Sequence, residues 1–224
     1  GIAVTDDSLA KCISDIRGVL GPGLRETVRT VTGRGYMLTG WEAEATGERL
    51  TLPALIAAAT DLDGRITGLQ RTWLDPDGDG KAHLDDPRRS MGHLLGSGIW
   101  LGLDPGMPIP ALAAGEGLET MLSLRTVMPS IPMVAATSAG HLGSLSLPPG
   151  CARIYIAADA DAAGRHGIER LGRRAAETGI LSLAIRPQLG DFNDDLRTFG
   201  PDRLAAWLRD QLVADDARLH MLAA

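Results

Sequence analysis

RIYIAADADAAGRHGIERLGRRAAETGILSLAIR, residues 153–186, reads as one strand–helix–strand unit. Its opening, RIYIAAD (153–159), reads as a strand ending in an acid, and LSLAIR (181–186) reads as another strand. Between them, residues 162–177 read as a long helix. On the N-terminal side, ALAAG (111–115) reads as a short strand running into Glu116. A helix from about Leu118 to Val127 follows, with Leu118, Met121, Leu122 and Leu124 as its apolar positions, and then a strand MVAATS (133–138). On the other side, closing helices are expected near 193–198 and from Pro201 to about Leu212. Strand and helix in alternation predict an α/β fold, an open parallel sheet flanked by helices.

The earlier residues carry a different pattern. Leu9, Ile13, Ile16 and Leu20 form one helical stripe over 6–20, closed by Gly21-Pro22. Residues 27–51 show little periodicity. From 52 to 84, apolar runs alternate with the turn signals Asp63-Gly64 and Asp77-Gly78, which predicts an antiparallel β meander. The proline-rich stretch 105–110 marks a boundary. The expected organisation is therefore a smaller, β-rich α+β subdomain over 1–104, the parallel-sheet domain over 111–212, and a C-terminal tail over 213–224.

Composition narrows the function classes. The chain has 224 residues, 44% of them apolar, enough for a real core. Its apolar runs fall short of the roughly 18–20 residues that span a bilayer, so no membrane association is expected. Residue 1 is Gly and the first acids are Asp6 and Asp7, so no secretory leader is visible and residues upstream are expected. Lys plus Arg is 22 against 28 Asp plus Glu, a net charge of −6, which argues against a surface that is basic throughout. Two cysteines, Cys12 and Cys151, make neither a disulfide framework nor a zinc ribbon, so a reducing cytoplasm is the expected location. Aromatics at 4% argue against base-stacking platforms.

Ligands of a parallel sheet bind beyond the carboxyl ends of its strands. Three of the four strand ends carry acids: Glu116 after the first, Asp159 and Asp161 after the third, Asp191 and Asp194 after the fourth. Clustered carboxylates repel unless a hard cation neutralises them, and Mg2+ is held by carboxylates, water and substrate phosphates. Phosphoryl transfer is the chemistry that pattern suggests. Asp161 and Asp191 fit the N-cap position of a helix equally well, and capping is compatible with metal binding. Ser138 fits either a phosphate contact or the cap of the next helix.

AAGEGLETMLSL (113–124), IYIAADADAAGRHGIERLGRRA (154–175) and GDFNDDL (190–196) together resemble the Toprim domain shared by bacterial-type primases, type IA and II topoisomerases and several nucleases. The resemblance covers roughly 111–212. It implies that Glu116 is a general acid or base, that Asp159 and Asp161 are a metal-binding pair, and that Asp191 and Asp194 belong to a third, more variable acidic motif. The implied cofactor is Mg2+ or Mn2+. Residues 61–102 resemble the basic, β-rich segment that precedes Toprim in the polymerase domain of primases, most closely those of phage and plasmid type. That resemblance implies that Arg71 and Lys81, with Arg88 and Arg89 close behind, face nucleic acid or a nucleotide across a groove from the acids; a solvated cationic rim is the simpler alternative. The family usually adds an N-terminal zinc ribbon and sometimes a helicase, and neither occurs in these residues.

The function so implied is the RNA-polymerase core of a DNA primase, joining nucleotides from their triphosphates on single-stranded DNA, with a helicase or another replication protein as a further partner. A Toprim nuclease using the same acids, and a non-catalytic nucleic-acid-binding module of a mobile-element protein, are the alternatives. No Walker A pattern occurs, which excludes an ATPase motor within these residues. The five histidines show no metal-ligand spacing. Asp75, Asp77, Asp79, Gly80 and Asp86 imitate a calcium loop, but Pro76, Pro87 and the short final carboxylate favour a hairpin turn.

Overall fold

The computed structural model describes residues 28–31, 35–38, 43–45, 48–50, 52–77, 80–102, 108–157 and 162–221. The helix expected over 6–20 lies outside them. The described residues form two compact units, one drawing on the chain up to Ala59 and on Ile66–His93, the other on Thr60–Arg65 and on the chain from Leu94 onward.

In the first unit, β1 (Val28–Val31) pairs antiparallel with β2 (Gly35–Leu38), and β3 (Ala43–Ala45) with β4 (Glu48–Leu50). These hairpins occupy the stretch whose sequence shows little periodicity. β5 (Ala54–Thr60), β6 (Ile66–Trp73) and β7 (Arg88–Gly92) form a three-stranded sheet with β6 in the centre. The turn between β5 and β6 is built by Asp61, whose Oδ1 accepts the Asp63 and Arg65 N–H groups at 3.0 and 2.9 Å. After β6 the chain folds back as a hairpin: Leu74 bridges Lys81, and the Asp75 N–H reaches the Gly80 carbonyl at 2.9 Å. Trp73 and Ala82 are buried there, packed with Leu52, Ala54 and Leu84.

The second unit is built on a five-stranded sheet of order β12-β11-β9-β10-β8. Its strands are β8 (Ile99–Leu101), β9 (Ala111–Gly115), β10 (Met133–Ala135), β11 (Arg153–Ala157) and β12 (Leu181–Ile185). β9 through β12 run parallel, as the alternation predicts, and β8 is an antiparallel edge strand on β10. Every residue of β9 is buried, the continuous apolar run of a strand covered on both faces. The flanking helices are α1 (Leu118–Val127), the short α2 (Ala139–Leu142), α3 (Ala162–Glu177), α4 (Phe192–Arg209) and α5 (Ala214–His220). α4 breaks at Gly200, where φ is 80° and ψ 172°, a conformation open to glycine, and Pro201 restarts it. The two closing helices expected from sequence are these two halves.

Three expectations differ from what is observed. The sequence pattern puts the segment that forms β8 in the N-terminal subdomain, but Ile99, Trp100 and Leu101 pair with Ala135, Val134 and Met133 in the second unit. Residues 213–224 read as a tail, but 214–220 form α5, and Asp216 on it receives a two-pronged bond from Arg153 (Nε to Oδ2 and Nη2 to Oδ1, both 2.7 Å) and the Tyr155 hydroxyl at 2.6 Å. On α1, Leu122 is 44% exposed while Leu118, Met121, Leu124 and Val127 are buried, because a period of 3.6 turns residue 122 away from the packed face.

Candidate active site at the carboxyl edge of the sheet

Four parallel strands deliver their carboxyl ends to one edge of the second unit's sheet. β9 ends at Gly115, and Glu116, half-buried, is the next residue. Gly115 allows close packing there: a Cβ would stand 2.6 Å from Met121 Sδ and 3.2 Å from Ala157 Cβ, so a side chain at 115 would force the Met121 side chain of α1 to shift. The Glu116 carbonyl accepts the Thr137 N–H at 2.8 Å, which ties the end of β9 to the end of β10.

Thr137 sits at φ 74°, the sole non-glycine residue with positive φ among the described residues. For a β-branched side chain that backbone costs on the order of 1–3 kcal/mol. Its Oγ1 is 3.0 Å from His141 Nδ1. Ser138 then caps α2, its Oγ accepting the His141 N–H at 3.2 Å, so of the two roles read from sequence the capping one is seen.

Beyond β12, the acids divide their tasks. Asp191 is the N-cap of α4, and its Oδ1 accepts the Asp194 N–H at 2.7 Å. Asp194 is exposed. Asp195, which the sequence pattern does not single out, is wholly buried, and its oxygens accept the Gln188 and Leu189 N–H groups, both at 2.8 Å. A buried carboxylate satisfied by two backbone donors fixes the loop 188–191 against the first turn of α4.

Asp159 and Asp161 lie outside the described residues; the chain enters that stretch from Ala157 at the end of β11 and leaves it at Ala162 at the start of α3. Among the described residues, no three His, Cys, Asp or Glu side chains gather closely enough to hold a metal ion.

In the first unit, Arg71 is only 4% exposed, which separates it from a solvated rim. Its guanidinium lies 4.4 Å from the centroid of the Trp73 ring, a cation–π arrangement. Arg71 faces Arg89 across β6 and β7. Burial and then the Arg89 charge pull its pKa below the usual arginine value, with Asp86 acting in the opposite sense. Lys81, Arg88 and Arg89 are exposed, and Arg89 Nε meets Asp86 Oδ2 at 3.2 Å. In the hairpin, Asp75 Oδ1 accepts the Asp77 N–H at 2.9 Å and Asp75 Oδ2 lies 3.6 Å from His83 Nε2. Asp79 lies outside the described residues.

Residues 111–202 match the Toprim domain, and residues 8–101 match a domain of unknown function, DUF7146. None of the curated proteins matches the chain. Among solved structures, the chain is similar to the Aquifex aeolicus primase, zinc-binding and RNA polymerase domains, at 15% identity and TM-score 0.50, over 93% of this chain and 50% of that one. It is also similar to the primase fragment of the bacteriophage T7 primase-helicase protein (17% identity, TM-score 0.49, 77% of this chain and 66% of that one). A DNA primase domain from Pseudomonas aeruginosa matches at 17% identity and TM-score 0.49, over 83% of this chain and 56% of that one. The chain therefore spans between half and two-thirds of the length of these solved chains.

The parallel sheet with acids following its strands is a Toprim domain. The fold of the chain as a whole is similar to that of the Aquifex aeolicus primase domains. No helix among the described residues is long and apolar enough to cross a membrane.

Proposed function

We propose that the chain is the polymerase core of a DNA primase, joining nucleotides from their triphosphates on single-stranded DNA in a reaction that depends on Mg2+ or Mn2+. The observation that carries this reading is the placement of Glu116 after β9 and of Asp191 and Asp194 after β12, with the chain bearing Asp159 and Asp161 entered from β11 between them in the sheet. Three neighbouring parallel strands thus lead into acids at one edge, where α/β sheets bind ligands.

The donor set suits a hard divalent cation, since every candidate is a carboxylate and none is a thiolate or imidazole. Asp159 and Asp161 would hold it, with Asp191 and Asp194 as further oxygen donors; the N-cap uses Oδ1 of Asp191 and leaves that carboxylate a second oxygen. A bound cation supplies charge stabilisation to the transferred phosphoryl group. Glu116 then acts as general base toward the attacking hydroxyl, and its backbone bond to Thr137 holds it in place. Lys81, Arg88 and Arg89 contact phosphates of template or triphosphate, and Arg71 stiffens the strand across from Arg89. The protein works in the cytoplasm, with a helicase or another replication protein as partner.

The test is incorporation of labelled nucleotides on single-stranded DNA with Mg2+ or Mn2+, run beside a cleavage assay on the same strands. Metal-dependent incorporation lost in Glu116→Gln and Asp159→Ala is the expected result. Metal-dependent cleavage without incorporation would replace the polymerase with a nuclease. DNA binding with neither activity would make the chain a binding module.

A further inference from the structure

Thr137 pays for a left-handed backbone that glycine adopts without strain, and it does so beside the candidate catalytic glutamate. What the threonine supplies and glycine cannot is its hydroxyl, and that hydroxyl sits 3.0 Å from Nδ1 of His141. A second bond from the same short segment, the Ser138 Oγ accepting the His141 N–H, fixes the backbone of that histidine. The Thr137 N–H, bonded to the Glu116 carbonyl, locks both residues to one sheet edge. Gly167 completes the fixation: a Cβ there would stand 2.6 Å from the Ala139 carbonyl oxygen, so α3 presses directly on the turn that carries His141.

We propose that His141 is a phosphate-binding residue of this site and that Thr137 is its positioning residue. When the Thr137 hydroxyl donates to Nδ1, the ring proton is on Nε2, and Nε2 is then a donor for a phosphate oxygen. The strain at Thr137 is retained because its hydroxyl orients this donor, a contact that glycine at the same backbone position could not make. The proposal rests on the reading of the edge as a phosphoryl-transfer site and adds the side chain that grips the substrate's phosphate. That phosphate belongs to an incoming nucleotide or to the nucleic-acid backbone, and the two arms of the test separate these sources.

The experiment measures binding of ATP with Mn2+ and, separately, of a short single-stranded oligothymidylate, to the wild type and to His141→Ala, Thr137→Val, Thr137→Ser and Thr137→Gly. Loss of one hydrogen bond to a charged group weakens the affected probe by roughly ten- to a hundredfold in His141→Ala. Thr137→Val keeps the shape and loses the hydroxyl, so it weakens the same probe; Thr137→Ser keeps the hydroxyl and restores binding. Thr137→Gly relieves the backbone and melts at higher temperature than wild type while binding less well, a split that a merely structural residue does not give. Weakened ATP binding assigns the nucleotide phosphates, and weakened oligothymidylate binding assigns the nucleic-acid backbone. Wild-type binding retained in both His141→Ala and Thr137→Val overturns this proposal alone. Failure of the wild type to bind either probe overturns the phosphoryl-transfer reading with it.

Discussion

Replacing Asp216 by Ala removes the acceptor that joins the central strand β11 to the last helix. The carboxylate is 3% exposed and takes three short bonds, two from the Arg153 guanidinium and one from the Tyr155 hydroxyl. Tyr155 is fully buried and in turn accepts the Val213 N–H at 3.0 Å, just before α5 begins. Removing one partner of a buried pair costs about 3–5 kcal/mol, but the Arg153 side chain is 28% exposed and water can recover part of its solvation, so we place the loss at about 3 kcal/mol. For a domain of this size that lowers the melting midpoint by roughly 6–12 °C. Tyr155→Phe removes the hydroxyl's two bonds without stranding a charge, and a loss of about 1–2 kcal/mol is expected.

The same network sets the pH profile. The bond from Arg153 holds the Asp216 carboxyl below its ordinary value, so its contribution is present above about pH 4 and fades as pH falls through the lowered pKa. Burial, with the bond to Asp216, pushes Tyr155 up to about 12, so the tyrosine's contribution is present below about pH 10 and is lost as pH rises toward that value. Melting curves recorded across both limits should show wild type falling at each end and Asp216→Ala falling less steeply at both. A variant that melts with wild type at neutral pH would refute the anchoring of α5.

Asp191→Ser keeps an N-cap and loses the charge, whereas Asp191→Ala loses both; calorimetry should find Mn2+ binding weakened in both, with a stability loss of about 1 kcal/mol confined to the alanine variant. Lys81→Ala with Arg88→Ala should weaken single-stranded DNA binding and reduce the salt slope by roughly 0.7 for each phosphate no longer neutralised, with the melting midpoint unchanged; an unaltered slope makes them a solvated rim. Arg71→Lys keeps the charge and loses the planar stack on Trp73, so thermal unfolding of the first unit should show a loss of about 0.5–1 kcal/mol. Calcium titration of wild type against Asp77→Asn with Asp79→Asn should show no micromolar site, and one that vanished in the variant would turn the 75–86 hairpin into a calcium loop.

The parallel sheet is legible in the sequence because its strands are apolar runs that stop at acids, as in ALAAG before Glu116, and because Gly200-Pro201 punctuates α4 where the chain breaks. What escapes depends on partners far away in sequence. Nothing local in IWL says that it pairs with Met133–Ala135, and the polar ADDARLH becomes a docked helix through distant partners, Asp216 meeting Arg153 and Tyr155 from β11 and the Ser130 hydroxyl reaching the Leu219 and His220 carbonyls. Leu122 shows the limit of apolar counting on a helix, since identity alone does not say which side of the stripe is covered. In the candidate site, the position of Glu116 directly after a strand is readable in the sequence. The φ of Thr137 has no signature in composition, and metal-ligand spacing passes over His141 because that criterion is blind to a histidine held by a hydroxyl.

Three carboxylates within residues 191–195 invite a single explanation, yet the backbone gives them different partners: Asp191 closes the first turn of α4, Asp195 is buried under two N–H groups of the preceding loop, and Asp194 stands in solvent. Capping and metal binding are therefore not rivals at Asp191. The cap engages one oxygen and fixes where the other can be, while Asp195 removes freedom from the loop that leads into it. Ordering of this kind lowers the entropy that a cation would otherwise have to overcome in gathering its ligands. A carboxylate that caps a helix at the carboxyl edge of a parallel sheet is thus better prepared for metal binding than one left mobile, and its structural role counts in favour of the functional one.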